Sequence, residues 1–92
     1  MNDVVVRLPA ALRDFAGGES ELRAPPGTVA QILGALGESH PQLAQRVLDP
    51  DGELRAFVNV FVGRSNIRAL QGLATPVPSG GILNILPAVA GG

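Results

Sequence analysis

One stretch of this chain, Thr28 to Ser39, carries a clear helical stripe, while the other long apolar runs alternate as strands do. Val29, Ile32, Leu33 and Leu36 recur on one face, and Thr28 with Gln31 three residues later has the spacing of a capping box. A single amphipathic helix needs a sheet against which to bury its face. Gly34 and Gly37 each weaken the helix by up to about 1 kcal/mol relative to alanine, so it persists only by resting on that sheet. With 92 residues there is room for one core and no second domain.

The strands are read from period-two alternation and their punctuation. Val4, Val6 and Leu8 alternate with Val5 and Arg7 before Pro9, and Ala10–Ala16 reads as a short helical turn stopped by Gly17-Gly18. Ser20–Ala24 reads as a second strand neighbouring the first. After the main helix, Ser39 or His40 is placed to cap a shorter helix that tolerates Pro41 in its first turn, and Asp49-Pro50-Asp51-Gly52 is a turn. Phe57 to Val62 is the strongest strand, with Val58, Val60 and Val62 on one face and Phe57, Asn59 and Phe61 on the other. Gly63-Arg64-Ser65 turns into a short return strand, Asn66-Ile67-Arg68, and Gln71 to Gly81 is expected to be a surface loop. Ile82–Leu86 is the last strand, which Pro87 should end because it cannot donate to a ladder.

This order predicts an α+β fold, a mixed sheet of four to five strands against one main helix, as in the β-grasp or ubiquitin-like architecture. The expected division is a β-grasp domain over residues 1–86 and a flexible tail over residues 87–92, ending in Gly91-Gly92.

Composition narrows the chemistry. The chain has no cysteine, which excludes disulfides, thiolate metal sites and thiol nucleophiles, and its seven basic residues are all arginine, so no lysine offers a side-chain amine. A formal net charge of −1 without basic clustering argues against nucleic acid. Val4–Val6 is broken at once by Arg7 and comes after an acidic, polar start, unlike a secretory signal, and no run of about 20 apolar residues could span a membrane. The expected location is the cytoplasm.

From Gly80 to Gly92 there is no charged side chain, so the α-carboxylate is the one charge at the tip. Six residues come after Leu86 and reach on the order of 20 Å when extended, enough to thread into a partner's active site. Gly91 and Gly92 lack Cβ atoms, so their backbone can approach a phosphate closely. Such a tip suits adenylation of the carboxylate by ATP and conversion of the acyl adenylate to a thiocarboxylate. Because this sequence has no Gly-rich phosphate loop ending in Lys and Ser or Thr, ATP and Mg²⁺ are left to a partner, and the chain is expected to be a cosubstrate with no bound cofactor rather than an enzyme. An ordinary frayed terminus is the competing reading of two glycines taken alone.

Phe57–Val62, Gly72-Leu73-Ala74-Thr75 and the ending Ile85-Leu86-Pro87-Ala88-Val89-Ala90-Gly91-Gly92 together resemble the sulfur-carrier family that includes MoaD and ThiS. Pro87-Ala88-Val89-Ala90-Gly91-Gly92 is most similar to its CysO-like branch, used for cysteine biosynthesis. One departure is Pro78-Ser79-Gly80-Gly81, where the family commonly has an acidic Asp-Gly-Asp-like turn; that loop is expected to border the tail. The resemblance implies thiocarboxylation at Gly92 by an ATP-dependent adenylating sulfurtransferase of the MoeB/MoeZ type, with Pro87, Ala88, Val89, Ala90 and Gly91 threading into the partner. It also implies sulfur donation to a PLP-dependent, O-phosphoserine-using cysteine synthase of the CysM type. A JAMM-type zinc metallopeptidase then releases cysteine from Gly92, and with Gly92 last no trimming would precede the first round. The PLP and zinc belong to those partners. Two further functions stay open: a MoaD-type small subunit of molybdopterin synthase, and a ubiquitin-like modifier joined to lysines of other proteins.

The remaining candidates are weaker. His40 is the only histidine and has no ligand spacing around it, while Asp49, Asp51 and Glu53 lack the spaced ligands of a calcium loop, so no metal site is predicted. The arginines are scattered, and most read as ordinary surface charges. For the aromatic face two readings stand: Phe61, with Phe57 and Leu86, docks a partner enzyme, or the aromatics lie beneath the Gln71–Gly81 loop.

Overall fold

The computed structural model describes residues 2–87. The chain runs through strand β1 (Val4–Arg7), a 3₁₀ turn (Ala10–Ala16), β2 (Glu21–Ala24), β3 (Gly27–Thr28), helix α1 (Val29–Ser39) and helix α2 (Pro41–Val47). It continues through β4 (Val58–Val62), β5 (Ser65–Asn66), 3₁₀ turns at Ile67–Ala69 and Gly72–Ala74, β6 (Pro76–Val77) and β7 (Ile82–Pro87). Five strands form one mixed sheet in the order β2-β1-β7-β4-β5, in which β1 and β7 run parallel and the other neighbours antiparallel. This is the mixed sheet and helix layer of a β-grasp fold.

The helix begins as its sequence dictates. The Thr28 side chain accepts from Gln31 N at 3.2 Å, and Thr28 N donates to Gln31 Oε1 at 2.9 Å, so both halves of the capping box are made. Val29, Ile32, Leu33 and Leu36 are buried, and with Val4, Val6, Val58, Val60, Leu83 and Ile85 from the sheet they form the core. Between the helices, His40 ends α1 and begins α2 without a side-chain cap, and its N–H is given to Leu36 O. Neither Ser39 nor His40 therefore caps α2 in the way the sequence suggests.

Three elements differ from expectation. The Gln71–Gly81 stretch is not a plain surface loop: β6 pairs antiparallel with β3 in a separate two-stranded sheet, with Val77 buried and Val29 N donating to Thr75 O at 3.0 Å. Two-residue strands are too short to show a period, and only their partner fixes them. The expected return strand at Asn66–Arg68 is confined to Ser65–Asn66, because Asn66 Oδ1 accepts from Arg68 N at 2.9 Å and caps a 3₁₀ turn. The turn before it needs Gly63, whose φ of 61° a β-branched residue would resist.

Pro87 is the third. It does not stand outside the last strand but is the last described residue within it, opposite Val58. Gly63 N donates to Ile82 O, so hydrogen-bonded pairs alternate through Phe61↔Asn84 and Asn59↔Leu86, and Val58↔Pro87 falls at a non-bonded pair. The missing N–H of Pro87 thus faces away from β4. On that side β1 has already ended its pairing at Arg7↔Asn84, so no ladder bond is lost.

Candidate functional site

β7 is the central strand of the sheet, and its two edges are unequally covered. Leu83 and Ile85 point into the core and are fully buried, which fixes the strand's register, while Ile82, Asn84 and Leu86 point to the open face. Across β4, Leu86 lies opposite Asn59, and Phe61 lies opposite Asn84, which places Leu86 and Phe61 as diagonal neighbours on that open face. Phe61 is half-buried; Leu86 is 45% and Phe57 67% exposed. Phe57 lies one residue outside β4, in the turn before it, and is not covered by the Gln71–Gly81 segment.

The turn that carries Phe57 is held by two arginines. The Arg68 guanidinium donates through Nη2 to Arg55 O at 2.9 Å and to Val58 O at 2.8 Å, bracketing Phe57 between two bonded carbonyls. Arg55 ties the same turn to α2, its N donating to Val47 O at 3.0 Å and its Nε to Gln45 O at 2.8 Å. Sequence reasoning, which reads most of the arginines as surface charges and singles out none, misses this role. The signal in the sequence is weak: Asn66 two residues ahead of Arg68 is a turn former, but nothing in the order of residues says which carbonyls the guanidinium will reach.

At its other end β7 is stapled. Asn2 N donates to Ser79 Oγ at 2.9 Å, Ser79 Oγ donates back to Asn2 O at 2.8 Å, and Gly80 N also donates to Asn2 O. Val5 N then donates to Gly81 O at 3.0 Å. The Pro78–Gly81 loop therefore stands at the opposite end of β7 from Pro87, and does not border the point where the tail begins, as the sequence suggests it should. The extended backbone decides this, since the six residues of the strand separate the two.

Of the expected site residues, Phe61 and Leu86 share the open face, Phe57 stands at the margin of β4, and Pro87 is the last described residue of β7. Ala88, Val89, Ala90, Gly91 and Gly92 lie outside the described residues. Asp49 spends its Oδ1 on its own turn, accepting from Asp51 N at 2.9 Å and Glu53 N at 3.0 Å. Among the described residues no group of His, Asp or Glu side chains gathers where it could hold a metal ion, and no helix is long and apolar enough to cross a membrane.

Residues 6–92 match the ThiS family. The sulfur carrier protein CysO of Mycobacterium tuberculosis strain H37Rv is 36% identical over 92 residues, covering 98% of this chain and 99% of that protein. The crystal structure of the Amycolatopsis orientalis BexX/CysO complex contains a chain 37% identical, with a TM-score of 0.89, covering 97% of this chain and 99% of its own. The solution structure of small archaeal modifier protein 1 from Methanosarcina acetivorans is 33% identical with a TM-score of 0.85, covering all of this chain and 98% of its own.

Proposed function

The chain belongs to the ThiS family, and from that membership we propose that it carries sulfur as a thiocarboxylate on Gly92 for the synthesis of cysteine. It is a CysO-like sulfur carrier, a protein cosubstrate and not an enzyme. What is proposed is the covalent cycle. A Gly92 carboxylate oxygen attacks the α-phosphorus of ATP and pyrophosphate leaves; a sulfide-level sulfur nucleophile then displaces AMP from the acyl carbon. An adenylating sulfurtransferase of the MoeB/MoeZ type supplies the Mg²⁺ and cationic groups that the phosphates need. The thiocarboxylate sulfur adds to an aminoacrylate that a PLP-dependent cysteine synthase of the CysM type makes from O-phosphoserine with loss of phosphate. An S-to-N acyl shift leaves cysteine amide-linked to Gly92, and a JAMM-type zinc metallopeptidase hydrolyses that amide, freeing cysteine and restoring the Gly92 carboxylate.

The observation that carries this reading is that the family match runs through Gly92 while the strand leading to it is the central one of the sheet. A strand locked by Leu83 and Ile85 gives the segment Pro87–Gly91 a fixed point of departure for threading, so a partner need not also order the strand that precedes it. Phe57, Phe61 and Leu86 beside that point form the docking patch for the activating enzyme, with Phe57 held ready by Arg68.

The test is intact mass after incubation with ATP, sulfide and a MoeZ-type enzyme. A sulfur-for-oxygen shift is expected in the full chain and not in a variant lacking Gly92; no shift in the full chain sinks the carrier cycle. For the patch, Phe61→Ala should fold normally and be thiocarboxylated more slowly; an unchanged rate removes Phe61 from the docking surface. Likeness to the archaeal modifier favours a second reading, attachment to lysines of other proteins, for which higher-mass adducts in cells would be the sign.

A further inference from the structure

We propose that the cleft between α2 and the turn beyond it binds an acidic segment of a partner protein, side by side with the docking patch. The cleft has a volume of about 580 Å³ and is lined by Gln42, Gln45, Arg46 and Arg55. Its two guanidiniums are both positioned. The Arg46 guanidinium carbon lies 4.5 Å from the centroid of the Phe15 ring, and Arg55 Nε donates to Gln45 O. Ordering long side chains is a main cost of forming an ion pair, and here part of that cost is already met within the fold.

Among the described residues no carboxylate answers either charge. Among the described residues the ion pair is Arg7 with Glu21, across β1 and β2, and no carboxylate lies within ion-pair distance of Arg46 or Arg55. An adjoining hollow of about 270 Å³ shares Gln45 and Arg55 and includes Asp49, but Asp49 Oδ1 is taken by two backbone N–H groups of its turn. The cleft therefore presents two cations with open donor capacity in a chain whose formal net charge is −1.

The shape and chemistry select a peptide. The volume falls within the roughly 300–1,000 Å³ of small-ligand sites and exceeds what one inorganic anion fills. Gln42 and Gln45 each carry a donor and an acceptor, which suits the amides of an extended chain, while planar guanidiniums suit its carboxylates. Two arginines without a basic stripe around them do not track a nucleic-acid backbone. Arg55 is two residues from Phe57, and its carbonyl is the one Arg68 holds, so an acidic segment in the cleft continues directly onto the exposed aromatic.

The experiment titrates the full, unactivated chain, labelled with ¹⁵N, with an N-acetylated hexaglutamate peptide at low salt. The side-chain Nε–Hε signals of Arg46 and Arg55 should shift and saturate while those of Arg7, Arg23 and Arg64 stay in place. Arg46→Gln should weaken binding about threefold to tenfold, and Arg55→Lys, which keeps the charge if Arg55→Gln loosens the turn, should retain most of it. Equal shifts at all arginines, equal binding of hexaglutamine, the same shifts with sodium sulfate at matched ionic strength, or unchanged affinity in Arg46→Gln would each overturn the proposal. No activation of Gly92 enters this measurement, so its outcome is independent of the thiocarboxylate reading.

Discussion

At its start β7 is flanked by β1 and β4, and the loop leading into it is tied to Asn2 by three hydrogen bonds; from Ile85 to Pro87 it keeps β4 on one side and no described strand on the other. The same strand is thus anchored at one end and open at the other. The difference teaches how a small domain can hold one end of a central strand on both edges while its other end keeps a neighbour on one edge alone. Hydrogen bonds to a second neighbouring strand are made along the first half of β7, and give way toward Pro87 to a proline and the exposed Leu86.

The comparison breaks most severely if the anchor is hollowed out. Leu83→Ala, at a fully buried position on the doubly flanked part of β7, should cost about 3 kcal/mol by chemical denaturation, a large share of a small domain's stability. A cost below about 1 kcal/mol would mean that β7 is not the strand holding the core together. Next in size is Arg68→Ala, which removes the Nη2 bonds to the Arg55 and Val58 carbonyls and leaves Arg55 O with Val58 N alone; it should cost about 1–2 kcal/mol and speed amide exchange around Phe57 while leaving the Asn2 end unchanged.

Ser79→Ala acts on the opposite end. Its exposed hydroxyl bridges Asn2 N and Asn2 O, so its loss should cost about 0.5–1 kcal/mol and raise exchange at Asn2 and Val5 without touching Phe57. If the two variants loosen the same amides, the ends of β7 are not independent. Smallest is Phe57→Ala, within about 0.5 kcal/mol of the parent because the ring is 67% exposed. A large loss of stability there would recast Phe57 as a core residue and remove it from the proposed patch.

Local pattern makes much of this legible. The capping box at Thr28 and Gln31, the α1 stripe and the alternation in β4 are short-range signals, and each appears in the fold as the order of residues implies. The β3–β6 ribbon is not legible, because a two-residue strand has no period and exists only through its partner, Gly27 with Val77 and Thr28 with Pro76, far away in the chain. That Pro87 is paired within the strand rather than projecting from it is not legible for a related reason. A rule about a single residue's missing N–H cannot tell whether that N–H would have faced a neighbour.

Sequence by itself determined that the chain has one main helix to bury, no thiol, no lysine, and an uncharged stretch ending in Gly91-Gly92, since residue identity and local spacing dictate these. Tertiary structure alone decided which end of β7 is held, which carbonyls Arg68 and Arg55 reach, and that Arg46 and Arg55 line one cleft. Those facts depend on where a long side chain ends after the backbone has folded, and residues distant in the chain settle that.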